Sequence, residues 1–191
     1  SKRSLIMNSN GHSYDQNYFS WQQAVGEFGG IANTPKFKKL LSGPTPLRVL
    51  DYGCGGGYLL KQFPQHDRFG YDVNETALQI ARLNGLSVLD SIDEKIDFFD
   101  VVISNHALEH VPFPFSDLQS LVSSLRPGGY IQLVVPLETA TSRYNPNDIH
   151  GHLYSFSAGN LGNLLKSVGL NVVYSRIYRH KWPPYYRVIV Q

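Results

Sequence analysis

The sequence predicts an α/β fold in which helices cover both faces of a doubly wound sheet. Short apolar segments alternate with amphipathic segments along the 191 residues, an order typical of mostly parallel sheets. Residues 98–104 are nearly all apolar, as expected of a strand that is buried on both faces. We expect seven strands, the last two forming an antiparallel pair. Such sheets bind ligands beyond the carboxyl ends of their strands, so a site is expected at that edge.

The N-terminal region, residues 1–44, is expected to form an aromatic, partly helical lid on a single domain whose core is residues 45–191. Residues 8–33 are predicted to be irregular. Thr34 and Pro35 are typical of a helix N-cap and first helical residue, which predicts a short basic helix ending at Leu41. The aromatic residues of this region include Tyr14, Tyr18, Phe19, Trp21 and Phe28.

The core elements follow in alternating order. One helix is expected from the glycine loop to Pro64, a second from the N-cap Asn74 to Leu83, and a third from Ser116 to Leu125. A fourth begins at the N-cap Ser157 and is closed by Gly169. The predicted strands are residues 47–51, 68–72, 86–89, 98–104, 130–135, 171–178 and 187–190, with a turn at 127–129, a long loop at 136–156 and a connection through Trp182-Pro183-Pro184.

Composition excludes several classes of protein. The net charge of +2 is too small to indicate a nucleic-acid-binding surface. The single cysteine, Cys54, allows no intrachain disulfide and no zinc site built from cysteines. No signal peptide or membrane-spanning apolar run is present in the sequence, which predicts a cytoplasmic chain that binds neither membrane nor nucleic acid.

The most informative segment has the pattern Asp51-x-Gly53-x-Gly55-x-Gly57 after an apolar strand. Such glycines let the backbone turn tightly and approach a ligand closely. The dinucleotide fingerprint G-x-G-x-x-G would need a sixth-position glycine where Tyr58 stands. The segment instead resembles the first motif of class I S-adenosylmethionine (SAM) dependent methyltransferases. A glycine turn without a ligand is the simpler alternative, so further motifs must decide.

Three later segments extend this resemblance. Residues 99–111 are similar to the fourth-strand motif of the family, and residues 125–130 to its helix–turn–strand into the fifth strand. Residues 152–157, followed by Leu161 and Leu164-Leu165, resemble the downstream stretch of a small-molecule branch. Residues 18–37 are similar to the N-terminal region of bacterial methyltransferases associated with surface polysaccharide synthesis. The resemblance implies a Rossmann-like fold with SAM as cofactor.

Charge and spacing indicate how that cofactor is bound. The carboxylate of Asp51 favours the ammonium group of SAM and would repel the pyrophosphate of NAD. Asp72 lies 19 positions after Gly53, a spacing that suits hydrogen bonds to ribose hydroxyls. Asp90 is placed to accept from an adenine amino group, although an Asp-Ser pair after a strand is also simply a turn. The residues expected to contact SAM are Asp51, Gly53, Cys54, Gly55, Gly57, Asp72, Val73, Asp90, Ser91, Ile92 and Asn105.

Methyl transfer to a hydroxyl group needs a group that takes the proton, and histidine suits that role near neutral pH. Histidines occur on the loops predicted at the carboxyl edge: His106, His110, His150 and His152. We expect His106 or His152 to be the base. The alternative is that Glu109 and His110 hold their loop together structurally, and for His110 this is the preferred interpretation. Arg143, Tyr144 and Arg179 are further candidates for meeting an anionic or sugar-bearing acceptor.

Two metal patterns compete with this interpretation. Residues 106–110 fit H-x-x-E-H, a zinc-peptidase pattern, but the pattern works on a helix, and Pro112 and Pro114 leave room for one turn at most. Glu138 is a nonspecific candidate for a third ligand. Asp148, His150 and His152 alternate along a loop as a second cluster. Loop histidines are more often solvated than metal-bound, so we expect no metal.

The sequence therefore predicts a SAM-dependent methyltransferase that modifies an oxygen or nitrogen atom of a small molecule, such as a sugar or sugar-linked metabolite. The alternatives are a nicotinamide-dependent oxidoreductase, disfavoured by Asp51 and Tyr58, and a non-catalytic module that binds SAM or a protein. DNA amino-methyltransferases resemble one another in an Asn/Asp-Pro-Pro-Tyr/Phe motif after the fourth strand. Residues 104–107 are Ser-Asn-His-Ala there, and the Pro183-Pro184-Tyr185 run belongs to the predicted strand connection.

Overall fold

The computed structural model describes residues 16–93, 95–137, 151–179 and 187–190. Five parallel strands form the body of an α/β, Rossmann-like sheet, which confirms the predicted fold class. Helices α1 to α4 are Gln16–Leu41, Glu75–Leu83, Pro114–Ser124 and Ala158–Ser167. Strands β1 to β7 are Arg48–Tyr52, Asp67–Tyr71, Ser87–Val88, Phe99–Asn105, Leu125–Pro136, Arg176–Arg179 and Arg187–Val190, in the spatial order β3-β2-β1-β4-β5-β7-β6.

Alternate side chains of the central strands enter two apolar cores, one on each face of the sheet. Val49 and Val101 lie in the core that contains residues of α1 and α2. Leu50 and Val102, the next residue on each strand, lie in the core that contains residues of α3 and α4. This period-two arrangement explains why the strand sequences are apolar at consecutive positions.

Two helix starts confirm the caps predicted from the sequence. The Asn74 side chain accepts hydrogen bonds from the backbone amides of Thr76 and Ala77 at 3.0 and 3.2 Å. Ser157 and Asn160 form a reciprocal capping box at the start of α4. Both caps satisfy amides that have no partner inside the helix, so local side-chain chemistry sets these boundaries.

The N-terminal prediction was wrong in its helix boundary. Residues 16–41 form one helix, and Pro35 lies inside it rather than at its start. The side chains of Asn33 and Thr34 donate hydrogen bonds to the carbonyls of Gly29 and Gly30 at 2.8 and 2.9 Å. These side-chain donors support the turn before the proline, which itself has no amide to donate.

The helix expected after the glycine loop was also wrong. The segment forms turns and a short 3-10 helix at Leu60–Gln62, because only a few residues separate the glycines from Pro64. Helix α3 begins at Pro114, where a proline at the first helical position costs no hydrogen bond. The turn expected at residues 127–129 lies inside β5 as an irregularity between two pairing registers with β4.

The strand ends bring the predicted site residues to one edge. Asp51 is the penultimate residue of β1, Asp72 directly follows β2, and Asn105 ends the neighbouring strand β4. Strands β2 and β4 both pair with β1. Among the described residues, no helix has the length and apolar character needed to cross a bilayer.

Candidate cofactor and acceptor site

The glycine loop is fixed by the two strands beside it. The amides of Gly53 and Cys54 donate to the carbonyl of Tyr71 at 2.8 and 3.1 Å, which ties the loop to the end of β2. Gly53 has φ +77°, and a side chain there would collide with Ala107, just beyond β4. The loop is therefore in van der Waals contact with the segment that begins at His106.

Gly55 sits in a different environment from Gly53. Its φ is +51°, and a Cβ added there would meet no described atom within 4 Å. The loop thus presents bare backbone to open space, as the approach of a ligand requires. This open space is a structural observation that fits a bound cofactor.

Asp72 fastens the same loop through its carboxylate. One oxygen accepts the Gly55 amide at 2.8 Å and the other accepts the Asn74 amide at 2.9 Å. Burial raises the pKa of this carboxyl, while hydrogen bonds from the backbone amides oppose the rise. Each oxygen retains a lone pair, so the carboxylate can accept further hydrogen bonds from a ligand hydroxyl.

Asp51 is more deeply buried than Asp72, with 2% of its surface exposed. Burial raises the pKa of its carboxyl to about 8, and the nearby charge of Asp72 adds to the rise. A cation beside Asp51 would favour the ionised form and lower that pKa. The pocket at the end of β1 is therefore suited to a positively charged group.

The remaining residues of the loop contribute through packing. Cys54 is buried, and its sulfur lies where a side chain at Gly70 would be. Burial raises the pKa of its thiol, so the side chain behaves as an apolar group. A Cβ at Gly57 would lie 2.9 Å from the Leu86 side chain and 3.2 Å from Ala81, so only glycine fits.

The residues after β2 and β3 differ in exposure. Val73 and Asp90 are exposed, whereas Ile92 is buried in the core. The Ser91 hydroxyl accepts the Asp93 amide at 3.2 Å, which forms the local turn that an Asp-Ser pair favours. An adenine ring contacting this segment would therefore meet Asp90 and Ser91 more readily than the Ile92 side chain.

Helix α1 packs directly on the glycine loop through Tyr58, a contact that the sequence analysis missed. A Cβ at Gly26 would lie 2.9 Å from the Tyr58 ring, and one at Gly30 would lie 2.7 Å from the Tyr58 carbonyl group. The two glycines are four positions apart and therefore lie on one helix face. That spacing is the sequence feature from which the close approach could have been predicted. The aromatic side chains of residues 18–21 are not described, so the lid expected there stays a prediction.

His106 begins the segment after β4 in a strained backbone conformation. Its φ is +56°, a value that non-glycine residues rarely adopt, and its amide donates to the Val134 carbonyl at 2.8 Å. Such strain is found most often at functional sites. The Oδ1 atom of the preceding Asn105 is buried and has no hydrogen-bond partner among the described residues.

A buried carboxylate lies beneath the histidines. Glu109 is 0% exposed, and its Oε1 is 3.4 Å from His106 Nδ1 and 3.9 Å from His110 Nε2. The rings of His110 and His152 meet edge to face, with 4.8 Å between their centroids. Burial lowers the pKa of His110, and the charge of Glu109 opposes this. The fold thus brings His106 and His152, both predicted from sequence, to the same cluster.

The backbone of Glu109 also holds the loop that carries His152. The amides of Leu153 and Tyr154 both donate to the Glu109 carbonyl, at 2.8 and 3.1 Å. The Tyr154 hydroxyl donates to the Pro112 carbonyl at 2.9 Å. Sequence analysis gave a structural role for Glu109 as an alternative but did not foresee its complete burial.

The metal patterns are only partly covered by the structure. The H-x-x-E-H segment contains a 3-10 helix of three residues, Leu108–His110, in agreement with the single turn expected. Glu109, His110 and His152 each offer one ligand atom, and these atoms lie within 4.8 Å of one another. Glu138, Asp148 and His150 lie outside the described residues, as do Arg143, Tyr144 and the connection through Trp182-Pro183-Pro184.

Comparison with known proteins decides the family. Residues 24–175 match the family described as a methyltransferase domain. The chain belongs to that family. The match confirms the resemblance to class I SAM-dependent methyltransferases, and it argues against the nicotinamide-dependent alternative. SAM is accordingly the cofactor of the class.

Curated relatives within the family are ubiquinone biosynthesis O-methyltransferases. The Vibrio vulnificus protein is 31% identical over 129 residues, covering 58% of this chain and 55% of the relative. The Bordetella avium protein is 37% identical over 97 residues, covering 44% of this chain and 40% of the relative. The chain therefore spans about half the length of the curated relatives it matches.

Solved structures share the methyltransferase fold at lower identity. One is the Burkholderia thailandensis 1,6-didemethyltoxoflavin-N1-methyltransferase, solved with 1,6-didemethyltoxoflavin and S-adenosylhomocysteine. Its TM-score is 0.68 at 22% identity, and the match covers 91% of this chain and 84% of that chain. A SAM-dependent methyltransferase from Mesorhizobium loti has a TM-score of 0.63 at 19% identity, covering 83% and 96%. At these identities the likeness establishes the fold alone.

Proposed function

We propose that this chain is a SAM-dependent methyltransferase that transfers a methyl group to a hydroxyl oxygen of a small molecule. The contact between Gly53 and Ala107 carries the proposal, because it joins the glycine loop to the segment of His106. The O-methyltransferase names of the curated relatives support oxygen as the acceptor atom. The Burkholderia thailandensis N1-methyltransferase, at 22% identity, supports only the fold.

The geometry of the glycine loop supports the proposed cofactor residues. Asp51 would ionise and pair with the ammonium group of SAM, and Asp72 would accept hydrogen bonds from ribose hydroxyls. The open space over Gly55 admits the body of the ligand, and Asp90 would meet the adenine amino group. Gly53, Cys54, Gly57, Val73, Ser91, Ile92 and Asn105 complete the proposed contact set, several of them through backbone atoms.

His106 is the proposed general base. When bound, SAM supplies an electrophilic methyl group, whose transfer to oxygen breaks the carbon–sulfur bond and leaves S-adenosylhomocysteine. His106 would hold the acceptor hydroxyl and take its proton as the oxygen–carbon bond forms. Its side chain is 31% exposed and it directly follows β4, whereas the ring of the alternative base, His152, packs against His110. Positioning contributes the rest of the rate enhancement.

The architectural expectations are part of the same proposal. We propose one domain in which the sheet is completed to seven strands by the antiparallel pair β6 and β7, and in which α1 acts as a lid. The antiparallel registers of β5 with β7 and of β6 with β7 support the first statement. The packing of Gly26 and Gly30 on Tyr58 supports the second.

The acceptor is proposed at the level of chemical class. A histidine base suits hydroxyl groups of phenols and of sugars alike, and the comparisons give no support to a sugar in particular. A sugar or sugar-linked acceptor, expected from the resemblance of residues 18–37, is therefore one arm of the test. The other arm is a panel of phenols and catechols.

Two measurements test the proposed function. Calorimetry with SAM, S-adenosylhomocysteine and NADH should show binding of the first two only, and binding of NADH alone would refute the proposal. Mass spectrometry with isotopically labelled SAM should then detect a methylated hydroxyl in one arm of the acceptor panel. The variant His106→Ala should reduce turnover by about 100-fold or more while SAM affinity stays within about twofold, since general-base catalysis contributes on the order of 10²–10⁴-fold.

The corresponding variant His152→Ala separates the two candidate bases. If His106 is the base, His152→Ala should weaken acceptor binding more than it slows the bound reaction. Full activity of His106→Ala together with inactivity of His152→Ala would transfer the role to His152. Full activity of both variants would remove the general-base proposal altogether.

A further inference from the structure

We propose that Glu109 is a positioning residue that sets the proton location and orientation of His106, and that its backbone fixes the loop carrying His152. This inference rests on the proposed function, in which His106 is the base. It assigns a role to a residue that touches neither cofactor nor acceptor. Its test below includes measurements that require no methyl transfer.

The first argument is the unusual environment of the Glu109 carboxylate. The residue is 0% exposed, and neither carboxylate oxygen has a hydrogen-bond partner among the described residues. A buried carboxylate without donors is costly, unless a positive charge or a donor lies close to it. Among the described residues, the groups within ion-pair distance are the imidazoles of His106 and His110, at 3.4 and 3.9 Å. The carboxylate is therefore placed to accept a hydrogen bond from one of these rings.

Distance and burial favour His106 as the ring that Glu109 orients. Oε1 of Glu109 lies 3.4 Å from Nδ1 of His106 and 3.9 Å from Nε2 of His110. His110 is also the more buried of the two rings, and burial lowers the pKa of its imidazole. The carboxylate is therefore better placed to orient the His106 ring than the His110 ring.

The geometry also selects a tautomer. Glu109 faces Nδ1 of His106, which favours a proton on Nδ1 and leaves Nε2 to accept the proton of the acceptor hydroxyl. The carboxylate then stabilises the imidazolium that forms during transfer, as the buried aspartate does in a Ser-His-Asp triad. The 3.4 Å separation is longer than a good hydrogen bond, and such contacts commonly tighten when substrate binds.

The backbone of Glu109 links this residue to the second histidine. Its carbonyl accepts two amides from the loop that follows His152, those of Leu153 and Tyr154. One short segment therefore positions His106 through a carboxylate and the His152 loop through a carbonyl. A substitution of the side chain tests the first function while leaving the backbone contacts available.

The variant Glu109→Gln tests the carboxylate. In ¹⁵N NMR spectra of the ligand-free protein, the His106 ring signals should shift away from those of the tautomer protonated at Nδ1, because the glutamine amide can donate to Nδ1 as well as accept from it. The maximal turnover rate should fall about 10- to 100-fold, as expected when a catalytic group is misplaced by about 1 Å. SAM affinity should stay unchanged. The matched control is Glu75→Gln, an exposed glutamate paired with Arg82 on α2.

A second variant guards against misfolding of Glu109→Gln. Glu109→Asp keeps the carboxylate but shortens its reach, so turnover should recover part of the loss while SAM affinity stays unchanged. Unchanged His106 ring signals in Glu109→Gln, or equal turnover of Glu109→Asp and Glu109→Gln, would overturn the inference. Either result leaves the proposed function standing. Absence of methyl transfer with every acceptor, beside the expected change in the His106 ring signals, would instead refute the proposed function alone.

A metal ion is the competing partner for this carboxylate. Glu109, His110 and His152 could converge on one ion, since their ligand atoms lie within 4.8 Å. Zn²⁺ added at equimolar concentration to chelator-treated protein should leave the NMR signals of His110 and His152 unchanged. Stoichiometric binding that shifts both signals would give Glu109 a different partner and overturn the pairing with His106.

Discussion

Asp72 and Glu109 are two carboxylates of the candidate site, and they are held in different ways. Asp72 accepts backbone amides from Gly55 and Asn74 at 2.8 and 2.9 Å. Glu109 accepts no hydrogen bond among the described residues and lies beside histidines instead. Amide donors keep a carboxylate anionic without changing their own charge, whereas imidazoles gain or lose a proton near neutral pH.

This difference divides the site by chemistry. The proposed cofactor side, residues 51–58 with Asp72, is built from backbone amides and fixed carboxylates that are suited to binding a ligand. The histidine side, His106 with Glu109, His110 and His152, is built from groups that can move a proton. Because the sides meet at Gly53 and Ala107, changes on one side should affect binding and changes on the other should affect turnover.

The largest effect is expected from Asp51→Asn on the cofactor side. Losing the negative charge should weaken SAM binding by about 100-fold, in line with a hydrogen bond to a charged group worth roughly 1.5–3 kcal/mol. Calorimetry measures this loss. The NMR signals of the His106 ring should not change, and shifted signals would show that the two sides are not separate.

The same variant should stabilise the ligand-free protein at high pH. In the folded protein the pKa of Asp51 is raised from its usual value of 3.8 to about 8. Between these two pH values the folded state holds a proton that the unfolded state releases. The free energy of unfolding of the parent protein should therefore fall as pH rises from about 4 to 8. Asp51→Asn removes this term, and its melting temperature at pH 8 should be higher by about 2–4 °C for each kcal/mol regained. A lower melting temperature at pH 8 would contradict the assignment.

An intermediate effect is expected from pH alone. Since the carboxyl of Asp51 ionises with a pKa of about 8, SAM affinity should rise by up to about tenfold per pH unit between pH 6 and 8 and level off above. Adenosine lacks the amino-acid tail and serves as the matched ligand control, with weaker pH dependence expected. A pH-independent affinity for SAM would separate Asp51 from the ammonium group.

Sequence reasoning succeeded where a structure depends on local chemistry. Asn74 and Ser157 cap their helices as predicted, because each cap is made by residues within three positions. The glycine pattern likewise located the loop, since backbone geometry restricts which residues fit. These features need no knowledge of distant segments.

It failed where distant segments decide the outcome. Thr34-Pro35 has the local pattern of a helix start, yet the helix continues through it because its preceding turns pack on Tyr58. Glu109 is held by a loop more than 40 residues later, whose Leu153 and Tyr154 amides donate to the Glu109 carbonyl. The Tyr154 hydroxyl also donates to the Pro112 carbonyl, 42 positions away. Neither contact has a pattern within a short window of sequence.

The smallest effect is expected at the packing of α1 on the cofactor side. A methyl group at Gly30 would lie 2.7 Å from the carbonyl carbon and oxygen of Tyr58, which are backbone atoms that cannot move aside without shifting the loop. Gly30→Ala should therefore destabilise the protein by about 1–3 kcal/mol, the usual cost of overpacking, and weaken SAM binding severalfold. Thermal unfolding and calorimetry measure the two effects.

Gly29→Ala is the matched control, one residue away on the same helix. A Cβ at Gly29 would meet no described atom within 4 Å, so the substitution should raise the free energy of unfolding by roughly 0.5–1 kcal/mol through helix propensity alone. SAM affinity should then stay at the parent value. If Gly30→Ala and Gly29→Ala behaved alike, α1 would not bear on the loop through Tyr58. If Gly30→Ala also slowed turnover at saturating SAM, the helix would act on the histidine side as well, and the division between binding and proton transfer would have to be redrawn.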